Sequence, residues 1–196
     1  MMDNVHSAPP QGGTIRRVLH SETHLIEDHL LRLGEDARRR RFGHDVSDQF
    51  VRDYAQHAAD YGNLTFGFFL DGDIRAVAEM RQSDGAFGHI AEVAFSVERA
   101  LANMGIGTQL MGRIIRSARN RGIRQLLLVC LRENIKMQAI ARHYGADLST
   151  QEGSIVADIS PIRADYASIT SEYFDDRMLF VQAAFDLQTR LARMTG

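Results

Sequence analysis

The chain is poor in cysteine, and its histidines are scattered. With Cys130 as the single thiol, no disulfide can form within the chain and no cysteine-rich metal site can be built. A reducing, cytoplasmic compartment is therefore expected. The eight histidines include no pair spaced four apart within a predicted helix, so we expect no zinc site and no other bound metal.

Long apolar runs are also missing. The longest, Leu126 to Leu131, falls far short of the roughly 20 residues that a membrane-spanning helix needs. The first residues, MMDNVHSAPPQGG, lack the apolar stretch of a secretory signal peptide. We therefore expect no membrane association and no secretion.

Neither sign of charge dominates the chain. The 23 basic and 25 acidic side chains give a formal charge of −2, whereas a nucleic-acid-binding protein typically presents a strongly basic face. We expect no nucleic acid partner. With 44% hydrophobic and 24% charged residues, the composition is typical of a globular domain, and a chain of this length buries roughly 70% of its unfolded surface.

The first half of the chain predicts strands and helices of an α/β domain. Residues 1–13, rich in proline and glycine, are expected to form a disordered lead-in to a domain at 14–160. Two extended runs flank Asp71-Gly72-Asp73, which predicts a hairpin, because an Asp-Gly pair favours a tight turn. The predicted elements are a strand at 14–19, helices beginning after Ser21 and Ser47, and strands at 64–70 and 74–81.

The second half alternates strands and helices, the pattern of a parallel sheet unit. Along the first of these strands, alternation places Glu92 on a face with small and apolar neighbours, Ile90, Ala94 and Ser96. The predicted elements are a strand at 89–97, a helix opened by Gly105 and ending near Gly122, a strand at 125–131, a helix at 134–144, and one or two strands within 146–160.

Residues 161–196 predict a helical extension with more apolar surface than one contact needs. One stripe contains Phe174, Met178, Val181 and Phe185, and a second contains Phe180, Ala184, Leu187, Leu191 and Met194. Two interpretations stay open at this point. Either the helix folds back over its own domain, or a partner subunit covers one stripe and forms a homodimer.

A glycine-containing turn joins the strand at 89–97 to the following helix. Gly105 and Gly107 let the backbone approach an anion, and unpaired amides at a helix N-terminus favour a phosphate. The motif differs from a dinucleotide-binding fingerprint, since Leu110 stands where a third glycine is required, and no Gly-Lys-Ser/Thr follows. From these residues alone, both a structural turn and an anion-binding turn stay open.

The segments AEVAFSV, MGIGTQLM, ARNRGIRQLLLVCLRENIKM and ARHYGA, between Ala91 and Ala146, resemble the acyl-coenzyme A-binding core of the GNAT N-acetyltransferases. More narrowly, they resemble the catalytic domain of the bacterial Pat-type protein lysine acetyltransferases. The segment LRLGEDARRRRF loosely resembles the "short helix, then Arg-Phe" of those domains. The resemblance implies a mixed α/β fold, with a mostly antiparallel sheet splayed between its fourth and fifth strands, to which the C-terminal helix is an addition.

The same resemblance implies acetyl-coenzyme A as the co-substrate and a primary amine, foremost a protein lysine, as the acceptor. In the family, the amides of the glycine turn hold the pyrophosphate, and the preceding strand pairs with the pantetheine arm. Asn134 and Met137 match family residues near the coenzyme, although the residues alone also allow a helix cap and a core residue. The implied coenzyme-binding residues are Phe95, Val97, Ala102, Asn103, Met104, Gly105, Ile106, Gly107, Thr108, Asn134 and Met137.

Glu92 in AEVAF matches the family's general base, which takes a proton from the attacking amine through water. A largely apolar setting is expected to favour its protonated form and so bring its pKa toward that of a usable base. The alternative for a single strand glutamate is a solvent-facing or salt-bridged residue.

The other candidates have ordinary structural interpretations. We expect Tyr144 and Cys130 to pack in the core and His89 and His143 to be structural. The run Arg38 to Arg41 is either a solvated helix end or a contact for acidic groups.

Two departures from the family pattern keep rival functions open. Ala102 stands where Gln or Arg is usual, and Ala141 stands at the position of the tyrosine acid. They motivate a non-catalytic acyl-coenzyme A sensor as one alternative. A small amine acceptor, such as a polyamine, an amino sugar or an antibiotic, is the other.

Overall fold

A single mixed sheet organises the residues that the computed structural model describes, which are 10–60, 62–82, 89–161, 164 and 166–195. Its strand order is β1-β2-β3-β4-β5-β7-β6, with β4 and β5 parallel and the other neighbours antiparallel. This confirms the predicted mixed α/β, mostly antiparallel sheet. The strands are β1 (Thr14–Arg17), β2 (Asn63–Leu70), β3 (Asp73–Gln82), β4 (Ile90–Val97), β5 (Gln125–Leu131), β6 (Asp147–Gln151) and β7 (Ser154–Ile159).

Helices cover both faces of this sheet. They are α1 (Thr23–Arg32), α2 (Glu35–Phe42), α3 (Asp48–Gln56), α4 (Ile106–Asn120), α5 (Ile135–His143) and α6 (Tyr166–Thr195). Ser47 caps α3 by accepting a hydrogen bond from the Phe50 amide at 3.2 Å. Periodicity alone did not place α2, because its sequence, EDARRRRF, carries no apolar stripe and buries no complete residue.

The two faces of the sheet build two cores. On one face, Leu110, Met111 and Ile114 of α4 pack against strand residues that include Ala78. On the other face, the α1 and α3 side chains pack around β2 and β3; the fully buried members include Ile26, Leu30, Val51, Ile74 and Val77. Because strand side chains alternate, β2 and β3 contribute to both cores, whereas the buried apolar residues of β4 belong to the first core.

The ends of the chain differ from the expectations in detail. Strand β1 ends at Arg17, two residues before the predicted boundary. Residues 1–9 of the expected lead-in lie outside the described residues, while residues 10–13 form a turn in which the Gly13 amide donates to the Pro10 carbonyl. The segment 146–160 contains two strands, β6 and β7.

Helix α6 packs on its own domain through a polar face. The Glu172 carboxylate accepts hydrogen bonds from Ser117, Asn120 and Arg121 of the α4 region at 2.6–2.7 Å. Burial alone would raise the pKa of Glu172, but these donors outweigh it and the pKa is lowered. Asp186 pairs with Arg16 of β1 at 2.8 Å.

The apolar face of α6 points to solvent instead. Phe180 is 69% exposed. The other exposed apolar residues on α6 are Tyr166, Ile169, Tyr173, Phe174, Met178, Val181, Phe185, Leu187, Leu191 and Met194. Neither predicted stripe therefore makes the contact with the domain, because ion pairs and hydrogen bonds take that place. None of the helices in the described part of the chain combines the length and the apolar character that a membrane span requires.

A buried histidine ties α1 to β4. His29 is fully buried, with Nε2 2.8 Å from the Ser96 hydroxyl and Nδ1 3.3 Å from Glu98. Arg32 and Arg75 donate to the same Glu98 carboxylate. Burial lowers the pKa of His29, although the neighbouring Glu98 opposes this.

This contact predicts an acid-sensitive fold. Because the pKa of His29 in the folded protein lies below the ordinary 6.5, the unfolded chain binds the proton more tightly. The stabilisation is complete above pH about 6.5 and is lost as the pH falls below it, at up to about 1.4 kcal/mol per pH unit. Urea unfolding at pH 5, 6 and 7 should show this loss. The variant His29→Gln, which retains a donor and an acceptor, should reduce the slope of the unfolding free energy against pH. Equal slopes in the two proteins would contradict the prediction.

Candidate functional site

The parallel pair β4–β5 opens into a gap. These strands pair at Ile90 with Gln125, Ala91 with Leu126 and Glu92 with Leu127, and the described residues show no pairing beyond that point. Strand β4 continues to Val97 beside β3, and β5 continues beside β7. The two halves of the sheet therefore diverge from Val93 onward, as the predicted splay between the fourth and fifth strands requires.

Backbone groups of β4 face this gap. The Glu98 amide donates to the Arg75 carbonyl at 3.1 Å, so Glu98 and every second residue before it bond toward β3. The intervening residues bond toward β5, as His89 does by accepting from the Gln125 amide. By this alternation, the peptide groups of Phe95 and Val97 point into the gap, where β5 no longer provides partners.

The N-terminus of α4 follows directly and carries free donors. Its capping residue Gly105 has φ of 73°, a left-handed conformation that favours glycine, and no side chain caps the helix. The amide of Gln109 makes the first bond, to the Gly105 carbonyl, at 3.0 Å. The preceding amides, Asn103 to Thr108, have no hydrogen bond to any described residue. Together with the helix dipole, they form a site with positive potential that can bind an anion.

One predicted member of this set is already occupied. The Ala102 amide donates to the Arg99 carbonyl at 3.2 Å as the end of a short 3₁₀ turn, so the prediction of a free donor there is wrong. Gly107 has a separate packing role, because a Cβ there would lie 3.1 Å from the Ile140 side chain of α5. This close approach lets the middle of α5 pack against the first turn of α4.

The residues of α5 have local partners. Asn134 caps α5 by accepting from the Met137 amide at 3.2 Å, and Met137 is buried in the core. The Tyr144 hydroxyl donates to the Thr108 carbonyl at 2.8 Å, and burial raises its pKa. Tyr144 therefore packs α5 against α4, which confirms the structural interpretation of this residue.

Glu92 lies on β4 at the start of the gap, and its side chain is exposed. The expectation of an apolar, desolvated setting is wrong, because solvent reaches the side chain. In the sheet register Arg81 of β3 stands opposite Glu92, and Leu127 of β5 lies on its other side. Glu92 makes no ion pair with any other described residue. Its carboxylate can therefore contact a molecule that approaches from solvent.

The remaining candidates behave as structural residues, with one exception. Cys130 is buried, and burial raises its pKa. His89 contacts the Gly122 carbonyl at 3.1 Å, and His143 packs edge-on against the Tyr144 ring. The exception is Arg41, whose side chain is only 6% exposed, so the interpretation of 38–41 as a solvated helix end is wrong for this residue.

Arg41 belongs to a buried group of charges that the motif search missed. Glu79 of β3 is 2% exposed and accepts from the Tyr54 hydroxyl through Oε2, with Arg41 at 3.0 Å and Arg81 at 3.6 Å from the same atom. We call Arg41, Tyr54, Glu79 and Arg81 the Glu79 cluster. The available signal was an acidic residue inside the apolar strand segment AVAEM.

The charges in the Glu79 cluster are fixed by their surroundings. Burial and the neighbouring Glu79 raise the pKa of Tyr54 to about 12, so its hydroxyl stays a donor at neutral pH. Burial opposes the charge of Arg41, but the attraction of Glu79 and Tyr54 outweighs it and raises the pKa. No group of three or more His, Cys, Asp or Glu side chains that could hold a metal ion occurs among the described residues.

Solved structures share this architecture. The GNAT domain of Streptomyces lividans PAT has a TM-score of 0.65 at 20% identity, over 76% of this chain and 90% of that one. The acetyltransferase yncA of Salmonella typhimurium, solved with acetyl-CoA, has a TM-score of 0.59 at 14% identity, over 79% and 97%. The PaiA N-acetyltransferase of Thermoplasma acidophilum, solved with coenzyme A, has a TM-score of 0.58 at 12% identity, over 76% and 99%.

At sequence identities of 12–20%, the similarity to these solved structures establishes the fold. No curated protein sequence matches this chain. Residues 28–146, more than half of the chain, match the family model described as the acetyltransferase (GNAT) family. That range contains the β4–β5 gap, the free amides of α4 and the Glu79 cluster, and the chain belongs to the GNAT acetyltransferase family.

Proposed function

We propose that the protein transfers an acetyl group from acetyl-coenzyme A to a primary amine, foremost a protein lysine. The observation that carries the proposal is the gap between β4 and β5, which opens beside the free amides at the start of α4. Two solved structures of the same fold, those of yncA and PaiA, contain acetyl-CoA or coenzyme A, which supports this choice of co-substrate.

Each part of the coenzyme has a matching surface. The amides from Asn103 to Thr108 bind the pyrophosphate, while the peptide groups of Phe95 and Val97 pair with the amides of the pantetheine arm. We assign Asn134 and Met137, at the start of α5, to the opposite side of the coenzyme, in addition to the cap and core contacts that they already make. The arm then runs from the wide end of the gap toward Glu92, which brings the thioester to the strand that carries the base.

Glu92 takes the proton that the amine must lose. The amine nitrogen attacks the thioester carbonyl, the C–S bond breaks, and coenzyme A leaves as a thiolate that takes a proton from water. The proton released from nitrogen passes to the Glu92 carboxylate through water, because this side chain is exposed to solvent. Tyr144 is not the acid in this scheme, since its hydroxyl donates to the Thr108 carbonyl.

The exposure of Glu92 supports a lysine on a protein surface as the acceptor, because an exposed strand position is accessible to a large substrate. A small amine remains the competing acceptor, and an acyl-coenzyme A sensor is the non-catalytic alternative. We also propose a cytoplasmic location, for which the single buried thiol is the support and cell fractionation is the test.

The coenzyme site predicts opposite effects of Thr108→Glu on binding and on stability. Thr108 is the third residue of α4, where a glutamate can bond back to the Gly105 amide and favour the helix. The same carboxylate competes with the pyrophosphate, so titration calorimetry should show coenzyme A binding weakened about tenfold or more. The unfolding free energy should stay equal or rise. Thr108→Gln is the matched neutral control, and equal affinity in both variants would remove the phosphate assignment.

The base assignment predicts a selective loss of turnover in Glu92→Gln. Thiol release from acetyl-coenzyme A, followed with lysine peptides and a panel of small amines, should fall about 10²- to 10³-fold. Coenzyme binding should be retained, and Glu35→Gln, an exposed glutamate of α2, should behave as wild type. Turnover of Glu92→Gln at the wild-type rate would refute the base. Binding without turnover in wild type, with every amine, would favour the sensor.

We further propose that the exposed apolar face of α6 makes a homodimer. The polar face of this helix is used by its own domain, and the apolar face carries large side chains such as Phe174, Phe180 and Phe185 along its length. A large exposed apolar surface typically marks a site of protein–protein contact.

Light scattering should therefore give about twice the 22.0 kDa mass of one chain. Phe180→Glu combined with Phe185→Glu should reduce the mass to that of the monomer, because burying two carboxylates in an apolar interface is costly. Phe50→Glu, at an exposed phenylalanine of α3, is the control. A monomeric wild type would end the dimer proposal.

A further inference from the structure

The Glu79 cluster contains more cations and more donors than its members satisfy. It holds two guanidinium groups and one carboxylate. Arg41 Nε, Arg81 Nε and Arg81 Nη2 are buried without a hydrogen bond partner, and so is Glu79 Oε1. Three unused donors stand against one unused acceptor, so the cluster lacks an anion.

This imbalance is energetically unfavourable as it stands. Buried charges are costly unless they are paired and hydrogen-bonded, and Glu79 Oε2 already serves Tyr54 and Arg41. A second carboxylate at the exposed part of the Arg81 guanidinium would supply the missing negative charge, with the buried unpartnered donors behind it. Arginine suits this role, because its guanidinium stays charged and donates strong hydrogen bonds to a carboxylate.

The cluster is accessible through Arg81. The side chain of Arg81 is 40% exposed, whereas Arg41 and Glu79 are almost completely buried. The Arg81 guanidinium lies over the Tyr54 ring, 4.5 Å from its centroid, which holds the side chain against α3. A ligand can therefore reach the exposed part of Arg81 from solvent, while Tyr54 and Glu79 hold its guanidinium from the buried side.

The sheet register places this cation beside the proposed base. Arg81 of β3 is directly opposite Glu92 of β4, and Glu79 is opposite Ala94. Directly opposed residues of an antiparallel pair have Cβ atoms about 4.5–5.5 Å apart on the same face. A carboxylate held by Arg81 thus lies within about one strand spacing of the amine that gives its proton to Glu92.

Resting on the proposed function, we propose that Arg81 binds a carboxylate of the acceptor. Arg41, Tyr54 and Glu79 position its guanidinium. The preferred acceptor is then an amine that carries a carboxylate close to the reacting nitrogen. That chemistry has two sources, an acidic residue next to a lysine in a protein and a free amino acid.

The test compares acceptors that differ in one charge. One arm uses lysine peptides with Asp or Asn next to the lysine, and the other uses free amino acids and their amides. In wild type, kcat/KM should be about 10- to 100-fold higher for the carboxylate member of at least one arm. The arm that shows the difference identifies the source.

Arg81→Gln should bring that ratio close to one, and Arg81→Lys, which keeps the charge without the fork, should give an intermediate ratio. Arg142→Gln, at an exposed arginine of α5, is the control and should keep the wild-type ratio. Coenzyme A affinity measured for each variant shows that the fold and the coenzyme site are intact.

The outcomes separate this inference from the proposed function. Transfer to amines with no preference for the carboxylate member in either arm overturns the carboxylate site and leaves the acetyltransferase assignment standing. A ratio in Arg81→Gln as large as in wild type overturns it too. Absence of transfer to every acceptor, with coenzyme bound, overturns the proposed function itself.

Discussion

The geometry of the site depends on the early end of the pairing between β4 and β5. Strand β4 is bonded to β3 along its length and β5 is bonded to β7, so each strand follows its own half of the sheet after Glu92 and Leu127. The separation leaves the peptide groups of Phe95 and Val97 without partners on one side. Backbone groups are costly to leave unpaired, and an extended ligand with its own amides can satisfy them.

The two faces of the sheet contribute different chemical groups to this gap. On one face, α4 presents its free amides, and Tyr144 and Gly107 keep α5 close against it. On the other face, α1, α2 and α3 cover β3 and β4 with buried polar contacts, among them His29 with Ser96 and the Glu79 cluster. One side of the sheet therefore provides an anion site at a helix start, and the other provides a cationic surface beside Glu92.

Local rules predicted most of the elements. The Asp-Gly turn between β2 and β3, the Ser47 cap and the limits of β5 depend on nearest neighbours in the chain, and the structure confirms them. The prediction for the apolar stripes of α6 was correct only in part. Periodicity identified an apolar face correctly, but it could not show that Glu172 and Asp186 would make the contact with the domain, because their partners are far away in the sequence.

The sequence by itself determined the α/β order, the glycine turn at Gly105 and the place of Glu92 on a strand, because these follow from short-range periodicity and from motif residues that are contiguous. The tertiary structure alone decided which amides are free, that Glu92 is exposed, and that Arg41 and Tyr54 meet Glu79. The physical reason is that exposure, charge pairing and hydrogen bonding depend on residues brought together by the sheet register and by helix packing, across long separations in the chain.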